Sequence, residues 1–150
     1  MQSATQFGVF LINKPGVLAQ VVDAIAEARI NVMALTIVDA QEHGVLRVVG
    51  DDPAGLRKVL RKLNLPVHET KVLAVELPNK PGALASIVAK LSEEHVNIQY
   101  AYVTAGAGGG KTTGILKVDN LTKAGTLLRA RTRRDAKRST VKSRNGRPRR

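Results

Sequence analysis

Asn13-Lys14-Pro15-Gly16 recurs as Asn79-Lys80-Pro81-Gly82, an offset of 66 residues. Over residues 13–32 against 79–98, nine of twenty positions are identical. Four more exchange one aliphatic residue for another, as Val21 with Ile87 and Ile25 with Leu91. Self-similarity at a fixed spacing marks duplicated supersecondary units, and two copies are too few for a solenoid. The repeat therefore predicts two tandem modules, residues 1–70 and 71–128, followed by a tail of residues 129–150.

Working outward from the turn, each copy parses alike. Gly8 to Ile12 and Val72 to Leu77 are short β-prone runs that end at Asn-Lys-Pro-Gly. Leu18, Val21, Val22 and Ile25 follow in one copy, and Leu84, Ile87, Val88 and Leu91 in the other. That i, i+3, i+4, i+7 spacing lays an apolar stripe along a helix. Extended runs come next at Asn31 to Val38 and Asn97 to Thr104, then at Val45 to Val49 and Ile115 to Val118. Asp52 before Pro53 reads as a capping residue with proline at the first helical position. Leu56, Val59, Leu60 and Leu63 give that helix its buried face, and Leu121, Ala124, Leu127 and Leu128 do so in the second copy. Pro66 to Thr70 supplies a fourth strand to the first copy, whereas basic sequence occupies the place where the second copy's is due, near Thr132. Strand, helix, strand, strand, helix, strand with right-handed crossovers gives an α+β, split-βαβ sheet with both helices on one face.

The net charge of +12 is unevenly placed. The tail holds eleven Lys or Arg against the single acid Asp135, which leaves residues 1–128 nearly neutral. With no cysteine, disulfides and cysteine-based zinc sites are excluded. No apolar run approaches the roughly 18 residues of a membrane span, and Met1 to Gln6 lacks the layout of a secretory signal, so a cytoplasmic protein without membrane contact is expected.

A strand entering a Pro-Gly turn and then a helix aims unpaired backbone N–H groups at one point, where the helix dipole also favours an anion. Gly16 and Gly82 leave the backbone open to a ligand, and Pro15 and Pro81 stiffen the entry. A carboxylate is expected on the N–H groups of Gly16, Val17 and Leu18, or of Gly82, Ala83 and Leu84. Asn13 and Asn31 are 18 residues apart, as are Asn79 and Asn97, and each pair is expected on one edge of its module, offering amide donors and acceptors to an ammonium and a carboxylate. Read blandly, Asn31 and Asn97 end helices, and Asn13 and Asn79 form turns.

Asn-Lys-Pro-Gly-Val-Leu at 13–18 and Asn-Lys-Pro-Gly-Ala-Leu at 79–84, each followed by an amphipathic helix and Asn-Val or Asn-Ile, resemble the ACT domain family over about residues 6–128. The resemblance implies ferredoxin-like modules that pair side by side, as in a homodimer, and bind a free amino acid at the domain interface. It implies a non-catalytic regulator without a cofactor, acting on a separate enzyme of amino-acid metabolism. By that resemblance, Asn13, Asn31, Asn79 and Asn97 contact the ligand. Serine-binding members carry His two places before the turn Asn; Leu11 and Leu77 stand there in this chain, which implies a less polar pocket.

Four rival signals are weaker. Ala105 to Thr112 fits a relaxed nucleotide-binding motif, but Ile-Leu-Lys-Val follows where a helix is required. The tail can associate with phosphate backbones electrostatically, giving nucleic-acid contact as the alternative function. Recognition of RNA by the sheet is disfavoured because the aromatics are only Phe7, Phe10, Tyr100 and Tyr102. His43, His68 and His95 share no metal-ligand spacing, so no metal is expected.

Overall fold

The computed structural model describes residues 1–38, 43–105 and 111–129. The chain order is β1 (Gln2–Ile12), α1 (Val17–Glu27), β2 (Val32–Val38), β3 (His43–Gly50), α2 (Pro53–Lys62), β4 (Val67–Pro78), α3 (Ala83–Glu93), β5 (Ile98–Ala105) and β6 (Lys111–Val118). A last helix, α4, spans residues 121–129. Each module has the expected order, and the Asp52 capping signal acts as read. Asp52 Oδ1 accepts from Gly55 N at 3.0 Å with Pro53 behind it, and Asn120 Oδ1 accepts from Lys123 N at 2.9 Å to start α4.

The two modules do not carry separate sheets. All six strands form one antiparallel sheet in the order β2-β3-β1-β4-β6-β5. β4 runs without a break through residue 70, so its first half closes the first module and its second half opens the second. β1 does the reverse: Phe7 to Ile12 pair with β3, while Gln2, Ser3 and Ala4 pair with Ala74, Leu73 and Val72. That polar N-terminal stretch thus occupies the position of the second module's fourth strand. The residues near Thr132, where that strand was due, lie outside the described residues. Thr5 pairs with Lys71, its own equivalent at the 66-residue offset, so a pseudo-two-fold axis passes between them. Lys71 Nζ donates to Thr5 Oγ1 at 2.8 Å.

Alternation along the strands assigns three cores. Phe7, Val9 and Leu11 meet Val21, Ile25, Leu56 and Leu60 under α1 and α2. Leu73, Val75 and Leu77 meet Ile87, Leu91, Ala124 and Leu128 under α3 and α4. The odd positions of β1 and β4 are cross-strand partners, which places all four helices on the same face of the sheet. On the reverse face Ala34, Val49, Val72, Ala74 and Ile115 form a third cluster. The sheet curls to close it: β2 and β5, at opposite ends of the ladder, approach within 8 Å between Cα atoms. Only part of each predicted helical stripe is needed for these cores. Val21 and Ile25 are buried, but Leu18 and Val22 stay 37% exposed. Their equivalents Leu84 and Val88 behave alike.

A polar cluster crosses the reverse-face core. Gln6, 2% exposed, donates from Nε2 to the Tyr100 hydroxyl at 2.7 Å and accepts at Oε1 from the Tyr102 hydroxyl at 3.0 Å. The Arg47 guanidinium lies 3.8 Å above the Tyr100 ring centre, a cation–π contact between modules. Burial, reinforced by the neighbouring Tyr100, holds the Tyr102 phenol well above its ordinary ionisation range, with Arg47 opposing.

A group whose pKa is higher folded than unfolded stabilises the fold below its unfolded pKa and loses that contribution as pH rises. For tyrosine the loss begins near pH ~10. Chemical denaturation across alkaline pH should therefore show stability falling faster in the wild type than in Tyr102→Phe. Equal slopes would place Tyr102 in solvent.

Candidate functional site

At each Asn-Lys-Pro-Gly turn the chain leaves a strand and enters a helix through a glycine in the left-handed region, Gly16 at φ 87° and Gly82 at φ 82°. A Cβ at either position would meet nothing within 4 Å, so the requirement for glycine is conformational and the space above the turn is open. No side chain caps α1 or α3. Val17 N and Ala83 N turn back to the Lys14 and Lys80 carbonyls, at 3.4 and 3.3 Å. This corrects the expected donor set, because Val17 and Ala83 are engaged. Gly16, Leu18 and Ala19 in one turn, and Gly82, Leu84 and Ala85 in the other, have no backbone acceptor among the described residues. Each turn is a three-donor opening at a helix N-terminus.

Asn13 and Asn31 are not brought together. Ile12, next to Asn13, pairs with His43 at the start of β3, while Val32, next to Asn31, pairs with Gly50 at its end. At ~3.3 Å per residue, roughly 23 Å of strand separates them. Asn79 and Asn97 are divided by β6 in the same way, since Pro78 pairs with Lys111 and Ile98 with Val118. The expectation of a shared edge fails for a geometric reason. A β-α-β crossover makes strands one and two parallel, so the end of one lies across the sheet from the start of the other.

The bland reading holds for Asn13 and Asn79, which sit at the centre of tight turns closed by Lys14 N to the Ile12 carbonyl and Lys80 N to the Pro78 carbonyl, both at 2.9 Å, but it fails for Asn31 and Asn97. The left-handed residues that end α1 and α3 are Arg29 (φ 56°) and His95 (φ 54°), two places before Asn31 and Asn97. The side-chain amides of Asn13, Asn31, Asn79 and Asn97 make no hydrogen bond among the described residues, and all four residues are exposed. What holds Asn31 and Asn97 is a backbone clip. Asn31 N donates to Asp51 Oδ1 at 3.0 Å while Asp51 N donates to the Asn31 carbonyl at 3.1 Å. Asp119 clips Asn97 identically, at 3.1 Å for both bonds. The sequence reading missed Asp51 and Asp119. Their signal was an acid directly after the third strand of each copy.

Beside Asn97 is a concavity of about 400 Å³, lined by Val88, Ser92, His95, Val96, Asn97 and Ile98. Leu11 and Leu77, 5% and 3% exposed, belong to the helix-side cores. Residues 106–110 of the glycine-rich loop lie outside the described residues, but Lys111–Val118 is a strand, which is not the context of a nucleotide loop. Among the described residues no group of His, Asp and Glu is placed to hold a metal, and no helix is long and apolar enough to cross a membrane.

The family model described as an ACT domain pair matches residues 2–133. The chain belongs to the ACT domain pair family. Among solved structures, this ACT pair is similar to protein BT0572 from Bacteroides thetaiotaomicron, with 33% identity over 87% of this chain and 89% of that one, at a TM-score of 0.79. It shares its fold with the regulatory subunits of aspartate kinase from Thermus thermophilus and Thermus flavus. The first has 16% identity, coverage of 89% and 97%, and a TM-score of 0.62. The second has 19% identity, coverage of 87% and 90%, and a TM-score of 0.55. A comparison with the curated proteins gives no match.

Because a Cβ in the left-handed region costs about 1–2 kcal/mol, Gly16→Ala and Gly82→Ala should each lower unfolding free energy by about that amount. Urea denaturation measures it, and an unchanged midpoint would mean the turns are not held at positive φ.

Proposed function

We propose that this ACT pair is a non-catalytic cytoplasmic sensor that binds a free amino acid and modulates a partner enzyme of amino-acid metabolism. The observation that carries the reading is the twin set of N–H groups at the two Pro-Gly turns that have no backbone acceptor among the described residues. Three converging N–H groups at a helix N-terminus suit a carboxylate, and a nearby asparagine amide suits the ammonium group. Because the turn and the second asparagine of one module are a strand's length apart, one small ligand touches both kinds of residue only where two modules meet. The turn of one module, Asn13 with Gly16 and Leu18 or Asn79 with Gly82 and Leu84, would face the Asn97 or Asn31 end of another.

A second copy of the chain fits that need. β2 and β5 are the two edges of the sheet. Leu18, Val22 and Ile37 in the first module and their equivalents Leu84, Val88 and Val103 in the second are all 37% to 45% exposed. Exposed apolar side chains in such equivalent sets favour pairing with a second copy. The alternative, nucleic-acid association through residues 129–150, rests on charge alone.

A thermal-shift screen of the twenty amino acids in high salt tests the proposal. One amino acid or one chemical class should raise the melting temperature. Asn13→Ala with Asn79→Ala should weaken its binding at least about tenfold, as loss of a hydrogen bond to a charged group implies. No stabilisation by any amino acid, together with RNA affinity that falls steeply with salt, would favour the tail-based alternative.

A further inference from the structure

We propose that β5 wires the Asn97 groove to the junction between modules, so that a ligand seated against Asn97 changes how Tyr100 and Tyr102 grip Gln6. The inference rests on the reading of that groove as a ligand site, but the mechanical link can be tested without any ligand. β5 is an edge strand paired only with β6. Its first residue, Ile98, lines the groove beside Asn97. Two and four residues further on, Tyr100 and Tyr102 reach Gln6 of β1. Between groove and tyrosines the β5–β6 register shifts, from Ile98 to Tyr100, which leaves Gln99 as slack in the ladder. The start of the strand can thus move without breaking the pairs beyond it.

The receiving end is narrow in its tolerance. Gln6 is 2% exposed, and both ends of its amide are satisfied by hydroxyls on a single strand of the other module. A buried amide cannot exchange these partners for water, so a shift of β5 must either carry Gln6 along or break the contact. Arg47 on β3 adds a second point of attachment through the Tyr100 ring. The device is one-sided. At the 66-residue offset, the first module has Ala34 and Thr36 where the second has Tyr100 and Tyr102, and Val72 stands where Gln6 does. Only the groove of the second module has this path.

The chain supplies its own reporter. It contains two tyrosines and no tryptophan, so tyrosine emission reads this cluster alone. In the full chain without ligand, Asp119→Ala removes the side-chain half of the clip on Asn97 and should change tyrosine emission and bring the Tyr102 phenol toward its ordinary titration range. Asp119→Asn, which keeps an acceptor, should give a smaller change in the same direction and serves if the alanine variant unfolds. Asp51→Ala, the equivalent change at β2, should leave the emission as in the wild type. If the Asp119 variants, folded by circular dichroism, emit and titrate as the wild type does, the link does not exist. In a second arm the twenty amino acids are titrated singly. An amino acid that raises the melting temperature and shifts tyrosine emission, with the shift lost in Gln6→Leu, supports the coupling. Stabilisation without an emission change overturns it. If none of the twenty binds, the functional reading of the groove fails, and the Asp119 variants alone decide the link.

Discussion

The antiparallel seam between β1 and β4 is the constraint on which the rest of the molecule depends. Pairing Thr5 with its own repeat equivalent, Lys71, makes the duplicated sequence nearly symmetric about one point. Each long strand then serves two modules: one half belongs to its own sheet and the other half closes its neighbour's. Two cores of this size would be marginal alone. The seam joins them through shared hydrogen bonds, and curling of the sheet buries a third cluster, Ala34, Val49, Val72, Ala74 and Ile115, to which both modules contribute. Separating the modules would expose the reverse faces of both halves and strip one strand from each.

That geometry also sets what a ligand site can be. The seam and the parallel crossovers put the two turns and the two clipped asparagines at four different places. None of the four gathers a turn and a clipped asparagine in one place. Each turn has three N–H groups without a backbone acceptor among the described residues, and the groove at Asn97 sets polar groups beside apolar walls. The two repeats are near-equivalent in backbone and unequal in side chains. Ser92 and His95 line the groove of the second module, where Ala26 and Arg29 stand in the first.

What the sequence revealed and what it hid divide along a physical line. The helices, the Asp52 cap and the turns are local: a few neighbouring residues decide them, and the 66-residue repeat displayed the turn and the helix after it twice. The β-prone run Gly8 to Ile12 was legible too, but not that Phe7, Val9 and Leu11 face the helix-side core. The seam left no local trace, because Gln2 to Gln6 is a polar stretch whose strand conformation comes from partners some seventy residues away. Gln6 with Tyr100 and Tyr102 was hidden for the same reason. The asparagine pairing was misjudged through equal sequence spacing, which says nothing about which end of a strand a residue occupies. Val17 and Ala83 were misjudged because turn closure uses N–H groups that a simple count leaves free.

The register of the seam can be tested directly, because the chain contains no cysteine. Directly opposed residues in an antiparallel pair have Cα atoms ~4.5–5.5 Å apart, within disulfide range. Thr5→Cys with Lys71→Cys should form an intrachain disulfide under mild oxidation, seen as a faster non-reduced band of unchanged mass and a higher melting temperature. Thr5→Cys with Thr70→Cys, whose side chains leave opposite faces, should not. Cross-linking of the second pair in preference to the first, or of neither in folded protein, would contradict the shared sheet and everything built on it.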